Sequence, residues 1–102
     1  MTFEDVVVVR VYLAERGGKL DALLDYLHGE AGIRGWTVYR GVSGYGGSGR
    51  IRATRFADLA LDLPITIEFF DEAERVEAAL ERVLVLAGPG HVLSWPARVA
   101  RP

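Results

Sequence analysis

Glycines and arginines near the middle of the chain form the cluster best suited to chemistry. Five glycines fall within residues 41–49, and three arginines are interspersed with apolar residues between positions 50 and 56. Exposed glycine N–H groups and guanidinium groups both bind phosphate or carboxylate, so the cluster predicts an anion-binding site. The alternative is a solvated basic edge that discourages strand aggregation. The candidate ligand-binding residues of this segment are Gly44, Gly46, Arg50 and Arg52.

Residues 44–49 also match the pattern G-x-G-x-x-G, which lets the backbone approach a pyrophosphate in dinucleotide-binding domains. A minimal domain of that kind begins with the glycines, whereas here a strand and a helix come before them. Too few residues follow for its remaining units. We therefore attribute the match to glycine density and interpret the segment as an exposed loop between antiparallel strands. Long loops of this kind are often functional.

A second cluster is the segment Gly88-Pro89-Gly90-His91, which follows a helical pattern. Its structural interpretation is a helix stop and a turn. Its functional interpretation is a second wall of the anion site, with backbone donors and an imidazole that can titrate near neutral pH. The candidate ligand-binding residues added by this segment are Gly88, Gly90 and His91.

Several kinds of chemistry have no residues to support them. The chain has no cysteine, which excludes thiolate catalysis and cysteine-ligated metals. His28 and His91 lie far apart without an acidic cluster, so we predict no metal site. No serine lies in a G-x-S-x-G elbow, and we predict a protein that is not an enzyme and requires no cofactor. A net charge of −2 and the lack of an RNA-binding aromatic signature argue against nucleic acid as a partner.

The beginning of the chain predicts where the protein resides. Its first five residues include two acids and no base, whereas a secretory signal begins with basic residues. The longest apolar run near the start covers residues 6–9, far short of the roughly 20 residues of a membrane span. We predict a cytoplasmic protein without direct membrane insertion.

Hydrophobic periodicity predicts the elements that position the candidate residues. The first strand, Val6–Leu13, is dense in β-branched residues and apolar on both faces, which is typical of a central strand. Apolar residues recur at helical spacing over 18–31, where Gly32 suits the helix end. They recur again in a helix that Asp71 and Glu74 would begin with a capping box. The remaining predicted strands are Trp36–Arg40, Leu61–Phe70 and His91–Val99.

This order of elements predicts a single domain over residues 1–102. The fold class is α+β: a ferredoxin-like β-α-β-β-α-β two-layer sandwich with an antiparallel sheet, interrupted by a Gly/Arg-rich loop at about 43–59. Pro96 argues that the last strand lies at a sheet edge. Helices can cover only one face of the doubly apolar first strand, so we expect another subunit to cover the other.

The same segments resemble the PII-like signalling proteins, and most closely their uncharacterised branch, the domain of unknown function 190. The resemblance spans nearly the whole chain. Its most specific part is the run Thr37–Gly46 (TVYRGVSGYG), followed by Arg50-Ile51 and by Asp62–Glu68 (DLPITIE) with Asp71. The helix stop Gly88–Gly90 (GPG) fits the same pattern.

The resemblance implies a homotrimer whose sheets face a common centre, with clefts between subunits where related proteins bind adenine nucleotides or other small effectors. The loop between the second and third strands, residues 44–58 here, would engage a membrane transporter, a channel or an enzyme. Tyr45 and Arg55 are its candidate partner contacts. Members of this branch are sometimes encoded beside fluoride channels, which suggests a fluoride channel as the partner. His91 stands where PII proteins often have a lysine, and a neutral histidine would weaken phosphate binding.

We therefore expect a non-enzymatic regulatory trimer. It would bind a small anionic effector between its subunits, with adenine nucleotides among the candidates, and would signal through the 44–58 loop. Two alternatives stay open. The first is a ligand-free protein-interaction module, and the second is a small dimeric enzyme of ferredoxin-like type.

Overall fold

The computed structural model describes residues 1–15, 17–45 and 63–102, together with the backbone of residues 51–53. In this part of the chain the predicted β-α-β-β-α-β order is present, with one short hairpin added between its second and third strands. The elements are β1 (Thr2–Ala14), α1 (Lys19–His28), β2 (Trp36–Arg40), β3 (Ser43–Tyr45), β4 (Ile51–Ala53), β5 (Pro64–Asp71), α2 (Ala73–Ala87) and β6 (Val92–Arg101).

The main sheet is antiparallel and has the strand order β2-β5-β1-β6. The predicted central position of β1 is confirmed, since it pairs with β5 on one side and with β6 on the other. Pro96, which cannot donate a ladder hydrogen bond, lies on the edge strand β6. This arrangement confirms the ferredoxin-like α+β fold.

One face of the sheet packs against both helices. In β1 and β5 every second residue points into this core, which is the period expected of a strand with one covered face. Two apolar stripes at helical spacing, one on each helix, fill the other half of the core. The most completely buried side chains are Val9, Val11, Leu23, Leu27, Ile67, Phe69, Val76 and Val83.

The opposite side of the sheet, which we call the open face, is also largely apolar. The strand register places on this face the residues Val8, Arg10, Tyr12, Phe70, Leu93 and Trp95, together with Thr66 and Glu68. Within the described part of the chain no helix covers it, and Leu93 is 52% exposed. An ion pair on this face joins Arg10 to Glu68 at 2.7 Å, with the guanidinium 5.3 Å from the centre of the Trp95 ring.

The first helix is shorter than the predicted span 18–31, because a turn takes over after His28. The N–H of Ala31 donates to the carbonyl of Tyr26, and the N–H of Ile33 donates to that of Leu27. Gly32 adopts a φ of +61° in this turn, which favours glycine. The predicted role of Gly32 in ending the helical segment is therefore right, although regular hydrogen bonding stops earlier.

The predicted capping box at Asp71 is wrong. Asp71 is the last residue of β5, and the N-cap of α2 is Glu72, which makes no side-chain cap hydrogen bond. The Asp71 carboxylate is 2% exposed and binds groups from another part of the chain. The tertiary ion pair described below has overridden the local capping pattern.

Candidate functional site

Most of the predicted site residues that the structure describes lie at one end of the sheet. Because the strands are antiparallel, β1 and β2 end at the edge where β5 and β6 begin. The β3–β4 hairpin continues from the same end. We call this end the loop-root edge and define it by residues 12–15, 40–45, 63–64 and 88–91.

Two glycines of the loop root pack against a proline ring. A Cβ on Gly41 would lie 2.8 Å from Cγ of Pro64, and one on Gly44 would lie 3.0 Å from the same atom. The N–H of Gly41 also donates to the Pro64 carbonyl at 2.8 Å. The two glycines of the TVYRGVSGYG run and the proline of the following L-P therefore pack together as one unit. Gly44, which was predicted as a ligand contact, therefore has a structural role.

Glu15 ties together the two ends of the central loop. Its carboxylate pairs with the Arg40 guanidinium at the end of β2 and accepts the Leu63 N–H at 3.3 Å before β5. Its own N–H donates to the Leu63 carbonyl at 2.9 Å. Sequence reasoning missed Glu15, because nothing in its local pattern distinguishes it from a solvated acid. The three segments that it joins meet only in the folded sheet.

The turn before β6 forms the other part of the loop-root edge. Gly88 and Gly90 have φ values of +90° and +82°, where an L side chain is strained. The N–H of Gly88 donates to the carbonyl of Leu84 at 2.9 Å, so it ends α2. The exposed His91 then contacts the end of β1: its Nδ1 lies 3.0 Å from the carbonyl oxygen of Tyr12. The predicted helix stop and turn are confirmed.

The predicted ligand residues are brought together only in part. Gly44, Gly88, Gly90 and His91 share the loop-root edge, but β2 and β6 are three strand spacings apart, or about 14 Å. The exposed Tyr45 lies in β3, and the backbone of Arg52 pairs with Gly44 in a hairpin that the sequence pattern did not predict. The other predicted residues, which lie outside the described ones, are Gly46, Arg50 and Arg55.

A second ionic cluster lies at the opposite end of the sheet, and it too was missed from the sequence. Arg34 binds the Glu4 carboxylate with both terminal nitrogens, at 2.7 and 3.2 Å, and Asp71 at 3.1 Å. Arg101 adds a contact to Glu4 at 2.6 Å. The hydrogen bonds from Arg34 and then Arg101 lower the pKa of Glu4 to about 2. The four partners are distant in sequence, so no local spacing could reveal them.

Asp71 is the buried member of this ionic cluster. Its Oδ2 accepts the Arg34 N–H at 3.0 Å, and its Oδ1 accepts the Glu72 N–H at 2.8 Å. Burial by itself would raise the pKa of this carboxyl. The two backbone donors and the Arg34 guanidinium outweigh burial, so the pKa of Asp71 is lowered overall. The cluster is satisfied internally, which makes it a structural tie between β1, the turn before β2 and the start of α2.

A surface cavity of about 400 Å³ lies beside this cluster and is lined in part by Arg34, Trp36, Glu68 and Phe70. Its arginine is already bound to the carboxylates of Glu4 and Asp71, which neutralise its charge. Among the described residues there is no group of three or more acidic, histidine or cysteine side chains that could hold a metal ion. No described helix is long and apolar enough to cross a membrane.

This sheet with two helices on one face, and with a long insertion between its second and third main strands, is the fold of PII-like proteins. The solved structure of CPII from Thiomonas intermedia K12, described as bound to ADP and bicarbonate, superposes with a TM-score of 0.73 at 25% identity, covering 99% of this chain and 94% of that one. A PII-like signalling protein from Thermus thermophilus gives a TM-score of 0.64 at 18% identity, covering 97% and 91%. The latter shows the shared fold alone.

Residues 6–99 match the family model DUF190, described as "Uncharacterized ACR", and the chain belongs to this family. Among curated relatives, a UPF0166 protein of Methanocaldococcus jannaschii is 35% identical over 81 residues, which are 74% of this chain and 73% of that protein. A UPF0166 protein of Aquifex aeolicus is 37% identical over 54 residues. That match covers 53% of this chain and about half, 51%, of the relative's length.

Proposed function

We propose that this protein is a non-enzymatic, cytoplasmic regulatory protein that assembles as a homotrimer. It binds a small anionic effector in the clefts between subunits and signals to a partner through the 44–58 loop. The observation that carries the proposal is the loop-root edge. There, two segments more than 40 residues apart, the root of the Gly/Arg-rich loop and the Gly88–His91 turn, lie at the same end of the sheet.

The open face supports self-association. It presents Tyr12, Phe70, Leu93 and Trp95 on the side of the sheet away from the helices. The first three of these side chains are each at least 37% exposed. Contiguous apolar surface of this kind marks an interaction site. A symmetric assembly would cover this face with copies of itself, and it would place each loop-root edge beside a neighbouring subunit.

An anionic effector fits the composition of the loop-root edge. The positive-φ glycines of the turn present a backbone that can approach a ligand closely, and the arginines of the loop supply charge in an otherwise acidic chain. The fold relative CPII is described as bound to ADP and bicarbonate. We propose an adenine nucleotide as the effector, and no resident cofactor.

The clamp at Glu15 supports a switching role for the loop. It holds both loop ends to the sheet through Arg40 and Leu63. A conformational change within the loop therefore leaves the positions of its two ends unchanged. Effector binding would shift the population of loop conformations and thereby its affinity for a partner. The partner class we propose is a membrane transporter or channel, such as a fluoride channel, or an enzyme.

Titration calorimetry of the intact protein against ADP, ATP, AMP and cyclic AMP tests this function. At least one nucleotide should bind, and Arg52→Ala should weaken its binding. Arg82→Ala, the same change on the exposed surface of α2, should leave it unchanged. A folded trimer that binds none of the four nucleotides would contradict the nucleotide proposal and favour a ligand-free interaction module. In such a module, Arg50→Ala and Arg52→Ala would impair only the capture of the partner protein. A dimer by light scattering would favour the small-enzyme alternative.

A further inference from the structure

The imidazole of His91 is held in one tautomer by the end of β1. Its Nδ1 lies 3.0 Å from the carbonyl oxygen of Tyr12, and the N–H of Tyr12 donates back to the His91 carbonyl at 2.8 Å. A carbonyl oxygen can only accept a hydrogen bond, so Nδ1 must carry the hydrogen. In the neutral side chain Nε2 is then an acceptor without a hydrogen.

This tautomer decides which ligand groups the exposed His91 can contact. A fully ionised phosphate oxygen is also an acceptor only, so it repels the lone pair of a neutral Nε2. The imidazolium differs because both ring nitrogens are then donors. Its Nδ1–H can stay on Tyr12 while Nε2–H donates a charge-assisted hydrogen bond to the phosphate. A lysine at this position would need no such change, since its ammonium group is already a donor.

The neighbouring charged groups on the packed elements are engaged with one another. On β1, Arg10 is paired with Glu68 of β5 at 2.7 Å, and Glu15 is paired with Arg40 of β2. The turn 88–90 and the first residues of β6, 92–94, carry no ionisable side chain. Among the described residues on these elements, protonation of His91 is therefore what adds a positive charge to the loop-root edge near the 88–91 turn.

We propose that His91 is the specificity-determining residue of the loop-root edge, and that a phosphate-bearing ligand binds there together with a proton taken up from solvent by Nε2. The proton returns to solvent when the ligand leaves. Binding is therefore tighter at the acidic end of the range from pH 5 to 8, in which histidine changes charge. This inference rests on the proposed binding of an anionic nucleotide and adds to it a dependence on proton concentration.

The test is calorimetry with ADP in two buffers of different ionisation enthalpy, which measures the protons taken up on binding. His91→Asn is the matched control, because an asparagine amide can still donate to the Tyr12 carbonyl but has no Nε2. His91→Lys supplies a permanent donor. All three proteins share the protonation of ADP itself, so differences between them report on residue 91. Urea unfolding establishes that the variants are folded.

We expect the wild-type protein to take up as much as one proton more than either variant at pH 8. Its affinity should fall by up to about tenfold per pH unit, which is the limit for one linked proton. His91→Lys should bind ADP more tightly than the wild type at pH 8, and His91→Asn more weakly than the wild type at pH 6.

Equal proton uptake by the wild type and His91→Asn, with ADP bound by both, would overturn this inference and leave the proposed function standing. Weaker ADP binding by His91→Lys at pH 8 would also overturn it, because a permanent donor at this position would then not favour the ligand. Failure of the wild type and of His91→Lys to bind ADP at both pH 6 and pH 8 would overturn the proposed nucleotide site itself, and this inference with it.

Discussion

Replacing Asp71 with asparagine changes a single buried charge that joins three segments. The carboxylate accepts N–H groups from Arg34 and Glu72 at 3.0 and 2.8 Å, and a guanidinium N–H of Arg34 at 3.1 Å. An asparagine can present its oxygen to only one side of this site. Its amino group then faces a backbone N–H, so two donors meet in a position that is 2% exposed.

The expected loss can be worked from these contacts. A hydrogen bond to a charged group contributes about 1.5–3 kcal/mol, and a donor left unsatisfied in a buried site adds a cost of about 1–3 kcal/mol. The ion pair to Arg34 adds little, about 0–1 kcal/mol, because that side chain is 35% exposed. Since these contributions are not independent, we expect Asp71→Asn to lower the free energy of unfolding by about 2–4 kcal/mol.

The assay is urea unfolding at fixed chain concentration, because self-association would couple stability to concentration. Asp5→Asn, the same change at an exposed position of β1, should cost less than about 0.5 kcal/mol. The pKa of Asp71 is lowered in the folded protein, so its contribution is present above the unfolded value of about 3.9. It is lost as the pH falls through the folded pKa. A loss below about 1 kcal/mol at pH 7, or one that is as large at the acid end as at pH 7, would refute this reasoning.

Three further expectations concern other parts of the fold. Gly41→Ala places a Cβ 2.8 Å from Pro64 and should cost roughly 1–3 kcal/mol in urea unfolding. Gly35→Ala, with nothing within 4 Å, is the control, and equal losses would contradict the packing argument. Leu93→Glu on the open face should break the proposed trimer, as measured by light scattering. The control Val85→Glu, at a 69% exposed position of α2, should leave the trimer intact. If Leu93→Glu remains trimeric, this face is excluded as the interface. Glu4→Gln should remove a component of acid unfolding between pH 4.5, the ordinary value, and about 2, the pKa of Glu4 in the folded state. Its contribution is present above pH 4.5 and is lost toward pH 2, so an unchanged acid transition would count against the Arg34 pair.

The fold could be predicted from the sequence because its signals are local and repeated. The density of β-branched residues in β1, the apolar stripes of both helices and the position of Pro96 each identify an element or an edge without knowledge of distant residues. Where prediction failed, tertiary contacts decided the outcome. Asp71 has the local features of a helix cap, but Arg34, 37 residues away, takes its carboxylate. No window of sequence contains both partners.

The candidate site could be predicted only in part for the same reason. Glycine spacing indicated the loop and the turn at 88–91, and the root of the loop and this turn both lie at one end of the sheet. Gly44 illustrates the ambiguity of such spacing, since its contact with Pro64 is a sufficient reason for a glycine there. Glu15 carries no local signal, although it joins Arg40 and Leu63. The tautomer of His91 follows from a carbonyl that is 79 residues distant in the chain.

The Glu15 clamp also affects how freely this protein can change over evolution. Its contacts with Arg40 and Leu63, with Pro64 packed on Gly41, hold the loop ends together independently of what lies between them. The entropy of closing a loop rises slowly with its length, by about 0.6 kcal/mol for each doubling. Insertions, deletions and substitutions between the anchored ends should therefore cost the domain little stability. One scaffold could then acquire new partners by exchanging that segment alone, and grafting the segment from another family member would be the practical route to redirecting it.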